Sequence, residues 1–112
     1  MYEVLTQLNK TSGVTGSMVV GGDGIVIAAD LNSQIEDDTV GAMASSIVAT
    51  VRKSLDNLGS GEFSQITVEA DKRKMFLADA GIGTLVVTTE PRVNIGLVRL
   101  EIRNAINELR NA

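Results

Sequence analysis

The chain has 112 residues, 44% of them apolar and 21% charged, with a formal net charge of -4. Those totals fit one soluble globular domain over 1–112, long enough to bury roughly two thirds of its unfolded surface around an ordinary core. The sequence has no cysteine and no histidine, which excludes disulfides, thiol chemistry, His-containing zinc sites and Ser-His-Asp triads.

The charge is unevenly spread. Residues 1–50 carry Lys10 alone against six carboxylates, whereas residues 51–112 carry nine bases against eight acids. Nucleic-acid binding normally rests on a basic footprint, and only three aromatic residues are present to stack on bases, so nucleic acid is not an expected partner. No apolar run approaches the ~20 residues of a membrane span, so no membrane insertion is expected. The opening MYEVLTQLNK has no basic region leading into an apolar core. It does not read as a secretory signal, and a cytoplasmic location is expected.

In chain order, Met1, Val4, Leu5 and Leu8 recur at helical spacing and predict a short helix that ends before TSGVTG. Two strands follow at about 15–20 and 25–29, whose nearly unbroken apolar runs predict a sheet covered on both faces. A long helix is expected over about 36–58, with Val40, Met43, Ala44, Ile47, Val48, Val51 and Leu55 on its apolar face. Ser33 and Glu36 have the spacing of a capping box, and Gly59 suits the stop. Glu36, Asp37 and Asp38 match the positive end of the helix dipole, and Arg52 and Lys53 lie toward its negative end.

Three more strands fit 63–70, 74–79 and 84–89, joined by the short connections DKR and AGIG. Pro91 ends the sheet, and Asn94 can cap a last helix running to about residue 109. That helix presents Val98, Ile102, Ala105, Ile106 and Leu109 on one face. Ile95, Leu97 and Leu100 in its first turns suggest that the first helix covers that end as well. The order is αββαβββα, an α+β arrangement with a five-stranded antiparallel sheet and helices on both faces.

The segment GSMVVGGDGIVIAAD, residues 16–30, raises the question of a nucleotide loop. A phosphate loop reads GxxxxGK[ST], but Gly22 and Asp23 stand where Lys and a hydroxyl belong, and a carboxylate there repels phosphate. The dinucleotide pattern GxGxxG fails because Ile27 occupies its third glycine position. GGDG between two apolar runs has instead the turn chemistry of a β-hairpin.

Other charged residues offer no catalyst. Glu36, Asp37 and Asp38 are consecutive, and consecutive helical side chains splay by about 100°, so they cannot converge on one metal ion. Asp23 and Asp79 have no partner that marks either as a base, and Lys72-Arg73-Lys74 reads as a charged turn. Arg52 invites comparison with an arginine finger, although a basic residue toward a helix C-terminus is the simpler reading. No catalytic residue, metal ligand or cofactor is assigned.

Two features ask for a partner. The strand at 63–70 alternates Gln65, Thr67 and Glu69 with Ile66, Val68 and Ala70, as an edge strand does, yet it carries no proline or lysine to defend that edge. Either Glu62 and Glu69 blunt it, or it pairs with the same strand of a second copy. The outer side of the long helix carries Ala42, Ser45, Ser46 and Ala49, where a solvated helix would more often show Glu, Lys and Gln. Alanine is also the best helix former, so the small side chains alone do not decide between solvent and a partner.

Together these segments resemble the Roadblock family of dynein light-chain type domains. GVTGSMVVGGDGIVIAAD (13–30) is similar to the family's hairpin, with Asp23-Gly24 at the turn. VGAMASSIVATVRKSL resembles its alanine-rich central helix. VNIGLVRLEIRNAINEL (93–109) is similar to its closing segment, with Gly96, Leu97, Arg99, Leu100 and Glu101 in register. The resemblance implies a Roadblock, profilin/longin-like sandwich, with one long helix on one face of the sheet and two on the other.

It also implies dimers whose third strands join two sheets and whose long helices pack side by side. Prokaryotic, MglB-type members are implied to bind a Ras-like small GTPase on that helical platform and to modulate its nucleotide cycle. Eukaryotic members act as scaffolds, so a structural adaptor is the alternative. On this basis Phe63, Gln65, Thr67, Glu69 and Ser45 are expected at the homodimer interface. Asp38, Ala42, Ser46, Ala49, Arg52 and Lys53 are expected to form the GTPase-binding platform. Functions that tails carry in some members are not expected of a chain ending at Ala112.

Overall fold

The β-branched runs at 14–20 and 84–89 lie side by side in the middle of an antiparallel sheet, where both of their faces are buried. The computed structural model describes residues 1–31 and 36–111. In chain order the elements are α1 (Tyr2–Leu8), β1 (Val14–Val20), β2 (Val26–Leu31), α2 (Asp37–Leu58), β3 (Gln65–Glu69), β4 (Lys74–Asp79), β5 (Thr84–Thr89) and α3 (Ile95–Arg110). The strands are ordered β2-β1-β5-β4-β3, and each neighbouring pair is antiparallel. This is the expected α+β layout.

Alternation along the strands divides the core in two. Met18, Val20, Leu77 and Val86 meet Val40, Ala44 and Val48 of α2. On the other face Val19, Ala28, Phe76, Leu85 and Val87 meet Leu5 and Leu8 of α1 and Val98, Ile102 and Leu109 of α3. One side-chain relay ties the end of α1 to the sheet. The buried Ser17 hydroxyl donates to Asn9 Oδ1 at 2.7 Å, and Asn9 Nδ2 donates to the Asp30 carbonyl at 2.8 Å.

Several local expectations are corrected. Glu36 stands at the N-cap of α2 with extended backbone and no side-chain cap, so it is not the third residue of a capping box. Ser33 lies outside the described residues. Met43 does not join the core but is 46% exposed. It sits about 140° around the helix from Val48, while the buried Gly41 faces the sheet. A Cβ on Gly41 would lie 3.1 Å from Val26 Cγ2, so glycine lets α2 approach β2 closely.

The third strand is shorter than 63–70. Phe63 leaves the ladder and is buried beneath α2, with the Arg52 guanidinium 5.3 Å from its ring centroid. The last turn of α2 holds no basic residue, so this stacking, rather than the helix dipole, accounts for Arg52's position. At α3 the expectation of cover by α1 fails for Leu97 and Leu100, which are 38% and 51% exposed. Instead, α1 packs alongside Glu101, Asn104 and Glu108, farther along α3.

The cap of α3 is as expected. Asn94 Oδ1 accepts from the Leu97 amide at 3.1 Å. Asn94→Ala is expected to destabilise the fold by about 1 kcal/mol. Urea unfolding would read this as a lower midpoint at unchanged slope, and an unmoved midpoint would mean that the cap contributes nothing.

Candidate functional site

The glycine-rich segment is a closed hairpin. The Gly21 amide donates to the Ile25 carbonyl at 2.9 Å, and the Gly24 amide donates to the Gly21 carbonyl at 3.0 Å. Asp23 Oδ1 accepts from the Ile25 amide at 3.0 Å, and Gly24 adopts φ +83°, where glycine is favoured. Gly16 is paired within the sheet on both sides, opposite Leu31 and Thr88. Amides engaged in this way are not free to cradle a phosphate.

The open edge at β3 has a definite polarity. The Asp79 amide donates to the Ser64 carbonyl, and the Ala70 amide donates to the Arg73 carbonyl. In the same register Ile66 faces Leu77 and Val68 faces Met75. The even-numbered residues therefore turn their backbone groups toward β4. The N–H and C=O of Gln65, Thr67 and Glu69 project from the free edge, ready to pair with another strand. Their side chains lie on the α3 side, where Arg99 Nη2 donates to Thr67 Oγ1 at 3.2 Å. Glu69 pairs with Lys74 at 3.8 Å.

The outward side of α2 is the second surface. Asp38, Ala42, Ser46, Ala49, Arg52 and Lys53 are all exposed, and Ser45 is half-buried beside Gly24. Ala49 and Ser45 border a crevice of about 70 Å3 with Gly21, Gly22, Arg52 and Thr84. Ala49 thus lies on the flank of α2 nearest the β1–β2 turn, not diametrically opposite the core. Among the described residues no cluster of three or more metal-ligating side chains occurs, and no helix is long and apolar enough to cross a membrane.

Residues 1–89 match the Roadblock/LC7 domain. The chain belongs to the Roadblock/LC7 family. The protein MJ0310 of Methanocaldococcus jannaschii, itself uncharacterized, is 41% identical over 107 residues, covering 96% of this chain and 94% of that protein. Among solved structures, a Roadblock/LC7 domain from Streptomyces avermitilis superposes with a TM-score of 0.91 at 22% identity, covering 99% of this chain and 95% of that one. MglB of Myxococcus xanthus gives 0.88 at 27% identity, with 96% and 89% covered. The chain therefore has the Roadblock fold and resembles MglB.

Within this Roadblock/LC7 chain, the sequence-assigned residues fall into two groups. Gln65, Thr67 and Glu69 share the open edge, whereas Phe63, assigned with them, is buried under α2. The platform residues share the exposed side of α2, which also includes Met43, an apolar side chain that was read as core. A helical-wheel angle for Met43 far from Val48 was the signal that could have placed it there.

Proposed function

We propose that this protein, as one domain over 1–112, is a homodimeric cytoplasmic regulator of a Ras-like small GTPase. Two copies pair through the β3 edge with their α2 helices side by side. The GTPase docks on the side of α2 formed by Asp38, Ala42, Ser46, Ala49, Arg52 and Lys53 and has its nucleotide cycle modulated there. The observation that carries this reading is that side of α2: its central residues Ala42, Ser46 and Ala49 are small and exposed, in a fold shared with MglB. Small side chains let a partner surface approach the helix closely, whereas a merely solvated helix favours long polar ones.

Such a regulator acts by positioning the GTPase's own switch loops and needs no catalytic residue, metal or cofactor of its own. Arg52, stacked on Phe63, serves to hold α2 over the start of β3. A pull-down with a Ras-like GTPase encoded in the same genome, loaded with GTP analogue or GDP, tests the docking. Retention of one nucleotide form is expected, and retention of neither would overturn the reading.

The same reading requires that the chain alone does not take up nucleotide. Titration calorimetry with GTP and magnesium is expected to give no binding heat. Micromolar affinity in the absence of a partner would reverse the assignment of the 16–30 segment as a plain hairpin.

A further inference from the structure

Between α1 and the flank of α3 that faces it runs an open groove of about 1000 Å3. Every charged side chain that borders it is acidic: Glu3 from α1, and Glu101 and Glu108 from α3. The remaining border is made of amides such as Gln7 and Asn104 and of the apolar Met1 and Val4. Apart from the amino group of Met1, no cation lines it among the described residues. Its floor reaches the buried Leu8 and Ala105, where the two helices meet.

These acids are not one half of a salt-bridged surface. A solvated helix commonly sets a base three or four residues from an acid. No Lys or Arg stands at those positions from Glu3, Glu101 or Glu108. None of the three makes an ion pair among the described residues, whose one salt bridge is Lys74–Glu69. The arginines of α3 are segregated on its other flank, where Arg99 reaches Thr67 and Arg110 Nη2 donates to the Asp79 carbonyl at 3.3 Å.

A second observation is independent of charge. The exposed Leu97 and Leu100 lie about two turns and one turn before Asn104 on the same side of α3, so they continue the groove wall as an apolar shoulder. The carboxylates are also spaced for a chain rather than for an ion. Among the described residues no three acidic side chains converge closely enough to hold a metal. Glu101 and Glu108 stand about 10 Å apart along the helix axis. A nucleic acid or an anionic membrane is repelled by such a wall. What fits is a helix whose cations recur every two turns beside an apolar stripe.

We propose that this groove binds a basic amphipathic helix of a partner protein, with Lys or Arg on Glu3, Glu101 and Glu108 and its apolar side on Leu97 and Leu100. The groove is on the α1–α3 face of the sheet, opposite α2, so the inference stands without the GTPase reading.

The test is selection of random eighteen-residue peptides displayed on phage against the intact protein, followed by fluorescence anisotropy and circular dichroism on the recovered peptides. Peptides rich in Lys and Arg, with apolar residues at helical spacing, are expected to gain helix on binding and to bind less tightly at higher salt. Glu101→Gln combined with Glu108→Gln should weaken binding about tenfold at an unchanged melting temperature. Asp71→Asn combined with Glu90→Gln removes the same charge from exposed positions elsewhere and should change affinity by less than about twofold. Leu97→Asn combined with Leu100→Asn should weaken binding roughly fivefold. Recovered peptides without basic enrichment, equal losses from the two acid pairs, or binding indifferent to the leucine pair would overturn the proposal. So would a protein mass that grows with concentration and falls back in the Glu101→Gln, Glu108→Gln variant, since the arginine flank of a second copy would then be the occupant.

Discussion

Thr67→Pro is expected to leave the monomer folded and to raise the dimer dissociation constant by about a hundredfold, roughly 2.7 kcal/mol. The reason lies in the parity of β3. Ile66 and Val68 spend their backbone groups on β4, whereas the N–H of Thr67 points out of the sheet. Proline removes that outward donor and places its ring where a second strand would lie, while an edge strand with its N–H toward solvent tolerates it. A two-fold axis counts each loss twice, and each net hydrogen bond is worth about 1 kcal/mol. Ile66→Pro is the contrast: its donor faces β4, so the monomer itself should unfold at lower denaturant. Light scattering on the unmodified protein and on Thr67→Pro reads the outcome. A monomeric mass for the unmodified chain, or an unchanged dimer for the variant, would contradict pairing through this edge.

Ala49→Glu is expected to weaken GTPase binding by a hundredfold or more while leaving the fold intact. Ala49 is exposed, so a longer side chain meets no core atom in the monomer, and Glu is a good helix former. At a close contact the longer side chain would hold the partner surface off and its carboxylate would be desolvated, a cost of several kcal/mol that pairing with Arg52 or Lys53, three and four residues on, offsets only in part. The crevice of about 70 Å3 shared with Ser45, Gly22 and Arg52 borders this flank of α2. Because the proposed dimer sets its two α2 helices side by side, mass and binding must be read on one sample. A folded, dimeric Ala49→Glu that binds as tightly as before would place the platform elsewhere.

The fold was legible in the sequence wherever an apolar period was unbroken. The run at 15–20 announced a strand covered on both faces, although the equally apolar run at 25–29 forms the edge strand β2, with Ile25 and Ile27 66% and 45% exposed; Val40, Ala44 and Val48 announced the buried stripe of α2. Turn chemistry was equally readable: Asp23 and Gly24 make the hairpin that their identities require. What escaped were features set by close approach rather than by hydropathy. Gly41 carries no apolar weight in a periodicity count, yet it faces the sheet while Met43 does not. Phe63 continued an apparently extended run, but its ring is buried under α2 instead of extending the ladder.

The interaction surfaces were legible only in outline. The sequence marked 63–70 as an undefended edge, but which residues turn their amides outward depends on register with β4, and no pattern along one strand contains that register. Gln65 and Arg103 are 38 positions apart and line one cleft only because α3 packs against β4. Leu97 and Leu100 read as covered because they are apolar, although hydrophobic residues are often exposed and α1 packs farther along α3.

Regulation of a GTPase can be measured directly as single-turnover GTP hydrolysis and nucleotide exchange by the Ras-like partner at increasing concentrations of this protein. A regulator acting through α2 must change at least one of the two rates in a saturable way, and Ala49→Glu must lose that change while remaining dimeric. Saturable binding that leaves both rates untouched would make the protein an adaptor and contradict the regulatory role.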